Sequence, residues 1–215
     1  PLRTGIRTSD FVNGWNKAKE RTLAGPSNIH FGHCKTMARH PIIATFEAAM
    51  ASIPMKSGYS YKRWRKGIDV ELLKKTNSFR VDKLRTIVLF EADFNFTNKS
   101  ISNKVATHAE ATNGLAEEQF GSRKRHRAIE LSLNKCLTMD LLGQEKRPGV
   151  LCSNDLKSCY DRILHAIASI CMRRVGVPKE TCLMMFGTLA KVQHYIRTTY
   201  GDSDTAYTCI EIPYQ

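Results

Sequence analysis

Val150-Leu151-Cys152-Ser153-Asn154-Asp155-Leu156-Lys157-Ser158-Cys159-Tyr160-Asp161 joins a short apolar run to a polar turn that carries two aspartates. Arg147-Pro148-Gly149 breaks whatever precedes it, so residues 150–153 read as a strand and the residues after Asp161 as a helix. A carboxylate delivered at the end of a buried strand is costly to desolvate and calls for a paired charge or a metal. The other reading is that Asp155 or Ser158 caps the helix that follows. Two aspartates at this spacing do not choose between the two.

Outward from this stretch the chain alternates helical and extended patterns. Upstream, Lys83-Leu84-Arg85-Thr86-Ile87-Val88-Leu89-Phe90 is rich in β-branched residues and reads as a strand. From Asp93 the residues Phe94, Ile101, Val105 and Ala109 fall at helical spacing up to Asn113-Gly114. A second helix is predicted from Arg125 to Leu142, with Ile129, Leu133, Cys136, Leu137 and Leu141 on one apolar face. Near the start, Phe11, Trp15 and Ala18 mark an amphipathic helix behind Ser9 or Asp10. Pro41 opens another through Ile42, Phe46, Ala49 and Met50, which Pro54 is expected to stop. Downstream, a long helix ends at Gly176-Val177-Pro178 and one more runs from Lys179 to Thr199. Ala206, Thr208, Ile210 and Ile212 then alternate as a strand would. More helix than strand, interspersed, predicts an α+β fold.

Thirty-three Lys and Arg against twenty Asp and Glu leave a net charge of +13 on 215 residues, of which 42% are hydrophobic. That hydrophobic share excludes a disordered chain. The cation surplus points to a polyanion, although an acidic membrane surface or a merely soluble basic protein would give the same count. The densest cations are Lys62, Arg63, Arg65 and Lys66 around Trp64, and Arg123, Lys124, Arg125 and Arg127. The second cluster reads equally as a phosphate-tracking patch or a nuclear-localisation segment. No run approaches the ~18 apolar residues of a membrane span and the first residues lack a signal peptide's apolar run, so an intracellular location, nucleus or cytoplasm, is expected. Seven cysteines without a CxxC pair predict reduced thiols rather than a disulfide framework. His30, His33, Cys34 and His40 are a zinc candidate set without a second ligand pair, against which stands plain loop hydrogen bonding. No G-x-S-x-G surrounds Ser158, and neither a P-loop nor G-x-G-x-x-G occurs.

An apolar run followed by Asp155, three residues, small Cys159, aromatic Tyr160 and Asp161 resembles motif A of reverse transcriptases, with Cys159 where alanine is usual. Leu84-Arg85-Thr86-Ile87 is similar to the family's fingers motif, usually Arg-Pro-Ile, with Thr86 in place of proline. Gln119-Phe120-Gly121 resembles, in permuted form, its Gln-x-Gly-Phe block. The whole run from Trp64-Arg65-Lys66-Gly67-Ile68-Asp69-Val70 to Val175-Gly176-Val177-Pro178 looks like the reverse transcriptases of eukaryotic, non-LTR-like retroelements, and residues 25–35 look like their N-terminal extension, so the likeness covers most of the chain.

The resemblance implies a right-hand polymerase architecture, incomplete, with helix-rich fingers and the beginning of a palm. Residues 1–58 would be an N-terminal extension, 59–148 a fingers-like region and 149–215 the start of the palm. It implies RNA-directed DNA synthesis with two Mg2+ ions, held in part by Asp155 and the backbone carbonyl of Leu156. Arg85 and Lys83 would grip the triphosphate of a deoxynucleotide, and Tyr160 would pack under its sugar. An RNA template and a DNA primer would lie on the cationic patches. The family's remaining carboxylates come from a Tyr-x-Asp-Asp hairpin after a Gln-Gly motif, and neither occurs among these residues. Tyr200-Gly201-Asp202-Ser203-Asp204 reads as a solvated loop. The expectation is thus a polymerase fragment, inactive alone. The competing expectations are a non-catalytic nucleic-acid-binding remnant and a basic structural or partner-binding protein.

Overall fold

A computed structural model describes residues 2–74, 80–155 and 162–208. In chain order the elements are α1 (Thr8–Asn16), α2 (Phe31–Arg39), α3 (Pro41–Ser57), β1 (Lys66–Leu73), β2 (Leu84–Leu89), α4 (Ala92–Ala111), α5 (Ala128–Gln144), α6 (His165–Arg174), α7 (Lys179–Leu189), β3 (Gln193–Thr198) and β4 (Gly201–Asp202). The fold is α+β, with a mixed four-stranded sheet in the order β2-β1-β3-β4. β1 pairs antiparallel with β2 and parallel with β3, and β3 turns back into β4. Two compact units are present, residues 1–105 with 165–215, and residues 106–164. Among the described residues no helix is long and apolar enough to cross a membrane.

The first unit is built on aromatic residues. Trp15 is buried and stacks on Phe96 at 4.7 Å, with the edges of Phe11 and Phe31 closing its sides. Trp64, fully buried, sits against Tyr61 at 4.8 Å and Phe94 at 5.2 Å. Its indole N–H donates to Asp93 Oδ2 at 2.9 Å, which meets the requirement that a buried indole find an acceptor. Ala44, Ala48, Met55, Ile101 and Met184 complete this core.

The loop Gly25-Pro26-Ser27 is fastened by Glu91, which is 2% exposed and takes hydrogen bonds from the Ser27 amide at 3.0 Å and the Ser27 hydroxyl at 2.6 Å. Gly25 is obligatory here, because a Cβ would press into the Phe90 carbonyl. Glu91 is thereby committed to this loop.

Several elements differ from the sequence expectation. Pro54 does not stop α3, which continues to Ser57 and ends at Gly58 in the left-handed region, φ 74°. Proline deprives the Met50 carbonyl of its helical donor, and the Tyr61 hydroxyl replaces it at 3.1 Å. The helix predicted over Lys179–Thr199 stops at Leu189, and Gln193–Thr198 is strand β3. Pairing with β1 wins there over helical propensity, in a segment that holds Tyr195, Ile196 and Thr198. Residues 150–153 form no strand: they are irregular and exposed, and no described strand pairs with them. α5 begins at Ala128 rather than Arg125, since Arg125 has φ 67°, and its apolar face is exposed rather than buried. The alternation at the C-terminus yields one isolated bridge at Tyr207, and Ile210 and Ile212 lie outside the described residues.

Candidate functional site

Strand register sorts the charges of the sheet onto its two faces. Lys66, Ile68, Val70 and Leu72 share one face of β1, because alternate residues of a strand point the same way. Their partners Arg85, Ile87 and Leu89 on β2, and Gln193, Tyr195 and Arg197 on β3, lie on that same face. Asp69 and Glu71 are on the opposite face with Thr86, Val88 and His194. Cations and carboxylates of the central strands are thus segregated across the sheet.

The cationic face is open at its far end, where Leu72 and Ile87 are exposed. Lys66 and Arg85 are exposed too, and so are Lys62, Lys74, Arg80 and Lys83 at the ends of the β1–β2 pair. Arg85 stands opposite Leu72, six residues along β1 from Lys66, which separates the two by roughly 20 Å at ~3.3 Å per residue. That distance rules out a single compact pocket, and because Ile68 between them is buried, the two cations would meet an extended polyanion at separate ends of the face. Arg197 spends its charge locally, with two bonds to Asp202 at 2.6 and 2.8 Å. The Asp202 carboxyl is accordingly held below the usual carboxylate range by that guanidinium.

The remaining predicted binding residues divide by what they touch. Arg63 forms a two-pronged ion pair with Asp93 and lies over the Tyr61 ring. Arg65 donates to the Ser60 carbonyl at 3.0 Å and the Ser60 hydroxyl at 3.3 Å. Both therefore fasten the turn around Trp64, in place of the nucleic-acid contact expected from the sequence. Arg123 clamps the chain after α4: it bonds both Glu110 oxygens, at 2.8 and 2.9 Å, and the carbonyls of Ala116 and Gln119. Lys124, Arg125 and Arg127 remain exposed, and Arg127 begins α5 in a capping arrangement with Glu130.

Asp155 is exposed in irregular chain. Leu156 and Tyr160 lie outside the described residues. Among the described residues no three of His, Cys, Asp and Glu converge as metal ligands. Two magnesium ions in phosphoryl transfer need several carboxylates, and Asp155 offers one. The described donor set does not fit the pair of ions, and no chemical step is derived through them.

The zinc candidate set resolves into helix caps. His30 Nδ1 accepts from the Gly32 amide at 3.2 Å and His33 Nδ1 from the His30 amide at 3.1 Å, at the start of α2. His40 Nδ1 receives the Ile43 amide at the start of α3. Cys34 is buried behind them, and burial pushes its thiol up to about 11. Metal binding and alkylation both need the thiolate. At pH 8, iodoacetamide is expected to modify the exposed Cys136, Cys152 and Cys171 and to spare Cys34 and Cys182, read by peptide mass spectrometry. Equal labelling of Cys34 would contradict the packing of α2 against α1 and α3.

One constellation escaped the sequence reading. Asp69, 1% exposed on β1, accepts from His194 Nδ1 at 3.1 Å and from the Tyr207 hydroxyl. Residues 125 and 138 positions away in sequence supply these donors, and no local motif signals such a meeting.

No family model matches the sequence, and no curated protein matches it.

Proposed function

We propose that the chain is the template- and nucleotide-binding portion of an RNA-directed DNA polymerase of the reverse-transcriptase type. The observation that carries the binding half of this reading is the charge-sorted sheet, with Lys66 and Arg85 exposed at the two ends of one face, buried between them at Ile68, and Asp69 and Glu71 on the other face. Arg85 is the residue the fingers-motif likeness assigns to a deoxynucleoside triphosphate. An arginine exposed on a paired strand suits that role, because its planar fork bonds two phosphate oxygens and stays charged. Lys83 beside it, and Lys62 and Lys66 at the other end of β1, would follow the backbone of an RNA template or its hybrid with a DNA primer. Backbone contacts of this kind position the polymer without reading its sequence.

A second reading, non-catalytic nucleic-acid binding, is favoured by one observation: Asp155 stands exposed, and no described set of carboxylates joins it. The two readings share the binding face and differ in chemistry. Fluorescence anisotropy with a labelled single-stranded RNA and an RNA–DNA hybrid tests the shared part. Four phosphate contacts imply that affinity falls about a hundredfold between 50 and 200 mM salt. Binding that ignores salt would overturn both readings. Binding of a deoxynucleoside triphosphate then separates them: the polymerase reading requires a triphosphate site that Arg85→Ala abolishes, and the non-catalytic reading requires none.

A further inference from the structure

Residues 203–208 return along β3 out of the regular ladder. β4 pairs Gly201 with Thr198 and Asp202 with Arg197, and the Ser203 amide donates to the Ile196 carbonyl at 2.9 Å. Continued without interruption, that register places Thr205 opposite His194. Tyr207 stands there instead: the His194 amide donates to the Tyr207 carbonyl at 2.8 Å, and the Tyr207 amide donates back at 3.0 Å. Two extra residues are therefore bulged out. The Ser203 hydroxyl serves the bulge, accepting from the Ile196 amide at 3.1 Å and donating to the Thr205 carbonyl at 2.9 Å.

A slip of two residues keeps every side chain on its own face, so hydrophobic alternation does not discriminate the bulged register from the regular one. Backbone bonding favours the regular register, because a bulge leaves ladder groups unpaired. Something else must favour the bulge, and it stands on β1. The buried Asp69 carboxylate takes the Tyr207 hydroxyl on one oxygen and His194 Nδ1 on the other. The Tyr207 ring lies stacked on the His194 ring, with centroids 5.1 Å apart and planes 21° apart. In the regular register Thr205 would occupy this place and Tyr207 would be carried two residues along. The carboxylate would then lose its hydroxyl donor while still buried, which is the costly way to lose a hydrogen bond.

We infer that Asp69 selects the strand register of residues 203–208, acting through Tyr207 and His194 from a different strand of the sheet. The device is independent of nucleic-acid binding. Its pieces are one buried acceptor, one aromatic hydroxyl and a bulge that the acceptor makes worthwhile.

Amide hydrogen exchange followed by NMR tests it on the full chain with two variants, Asp69→Asn and Tyr207→Phe. In both, the Tyr207 amide is expected to lose at least about tenfold in protection while the Thr205 amide gains it, as the regular ladder takes over. The β1–β2 amides report that the sheet still stands. If Asp69→Asn also loses those, Tyr207→Phe decides, because it leaves the carboxylate and β1 untouched. Undiminished protection of Tyr207 in the deciding variant overturns the inference. So does loss at both Tyr207 and Thr205, which would mean that Asp69 merely holds the segment down.

Discussion

Reversing two charges, Lys66→Glu with Arg85→Glu, is expected to weaken binding of single-stranded RNA by about a hundredfold at 0.1 M salt. Each lost phosphate contact removes about 0.7 of a released counterion on a single strand, worth roughly fivefold at that concentration, and the new carboxylates repel the backbone further. The slope of log affinity against log salt should fall by about 1.4. Both side chains are exposed and lie at places on the sheet where they anchor nothing described, so thermal stability should change little. The comparison that gives the result meaning is Glu71→Lys on the opposite face. A nucleic acid held by the cationic face gains little from that change, whereas binding governed by net charge alone would strengthen. Equal and opposite effects from the two faces would remove the sheet face from the proposal and leave only a basic protein.

The largest effect on stability is expected at Trp64. Trp64→Ala should cost about 3–5 kcal/mol and lower the thermal midpoint by on the order of 10 °C in a chain of this size. The side chain is fully buried between Tyr61 and Phe94, so its removal opens a cavity. It also strips one donor from Asp93, whose other partner is Arg63. Trp64→Phe separates the two contributions: it keeps much of the apolar volume, loses the indole N–H and should cost about 1–3 kcal/mol. Differential scanning calorimetry of both variants checks the pair. If the alanine variant melts like the parent, the cluster around Trp64 does not hold the first unit together.

Trp64 also shows why cationic residues are poor guides when read in sequence alone. Lys62, Arg63, Arg65 and Lys66 look like one patch. Tertiary structure divides them, tying the still exposed Arg63 to Asp93 and Arg65 to Ser60, while Lys62 and Lys66 stay exposed. Arg123 is diverted in the same way by Glu110. A guanidinium has five donors and is drawn to any carboxylate or carbonyl cluster within reach, and the partners here lie 4 to 30 residues away. Spacing along a helix or strand carries no trace of such partners.

Elements whose period is local were legible. The β-branched run of β2 and the helix closed by Asn113-Gly114 stand where their residues place them, and the helix of Phe11 and Trp15 does too, although Arg7 rather than Ser9 or Asp10 caps it and Ala18 lies beyond its end. Those set by a distant partner were not. β3 looks helical until β1 pairs with it, and Pro54 looks like a stop until Tyr61 supplies the missing donor. The motif that decided the sequence reading, Asp155 to Asp161, falls largely outside the described residues, and its apolar approach over 150–153 has no strand partner among them.

Composition and periodicity thus determined a basic α+β chain with aromatic helices and a strand carrying Arg85, because charge count and side-chain period are properties of neighbours in sequence. Which cations face outward, which histidines cap helices, and the meeting of Asp69 with His194 and Tyr207 were decided by tertiary structure. The reason is physical. A hydrogen bond or ion pair depends on distances of about 3 Å, and for residues more than a hundred positions apart only the packing of the sheet sets that distance.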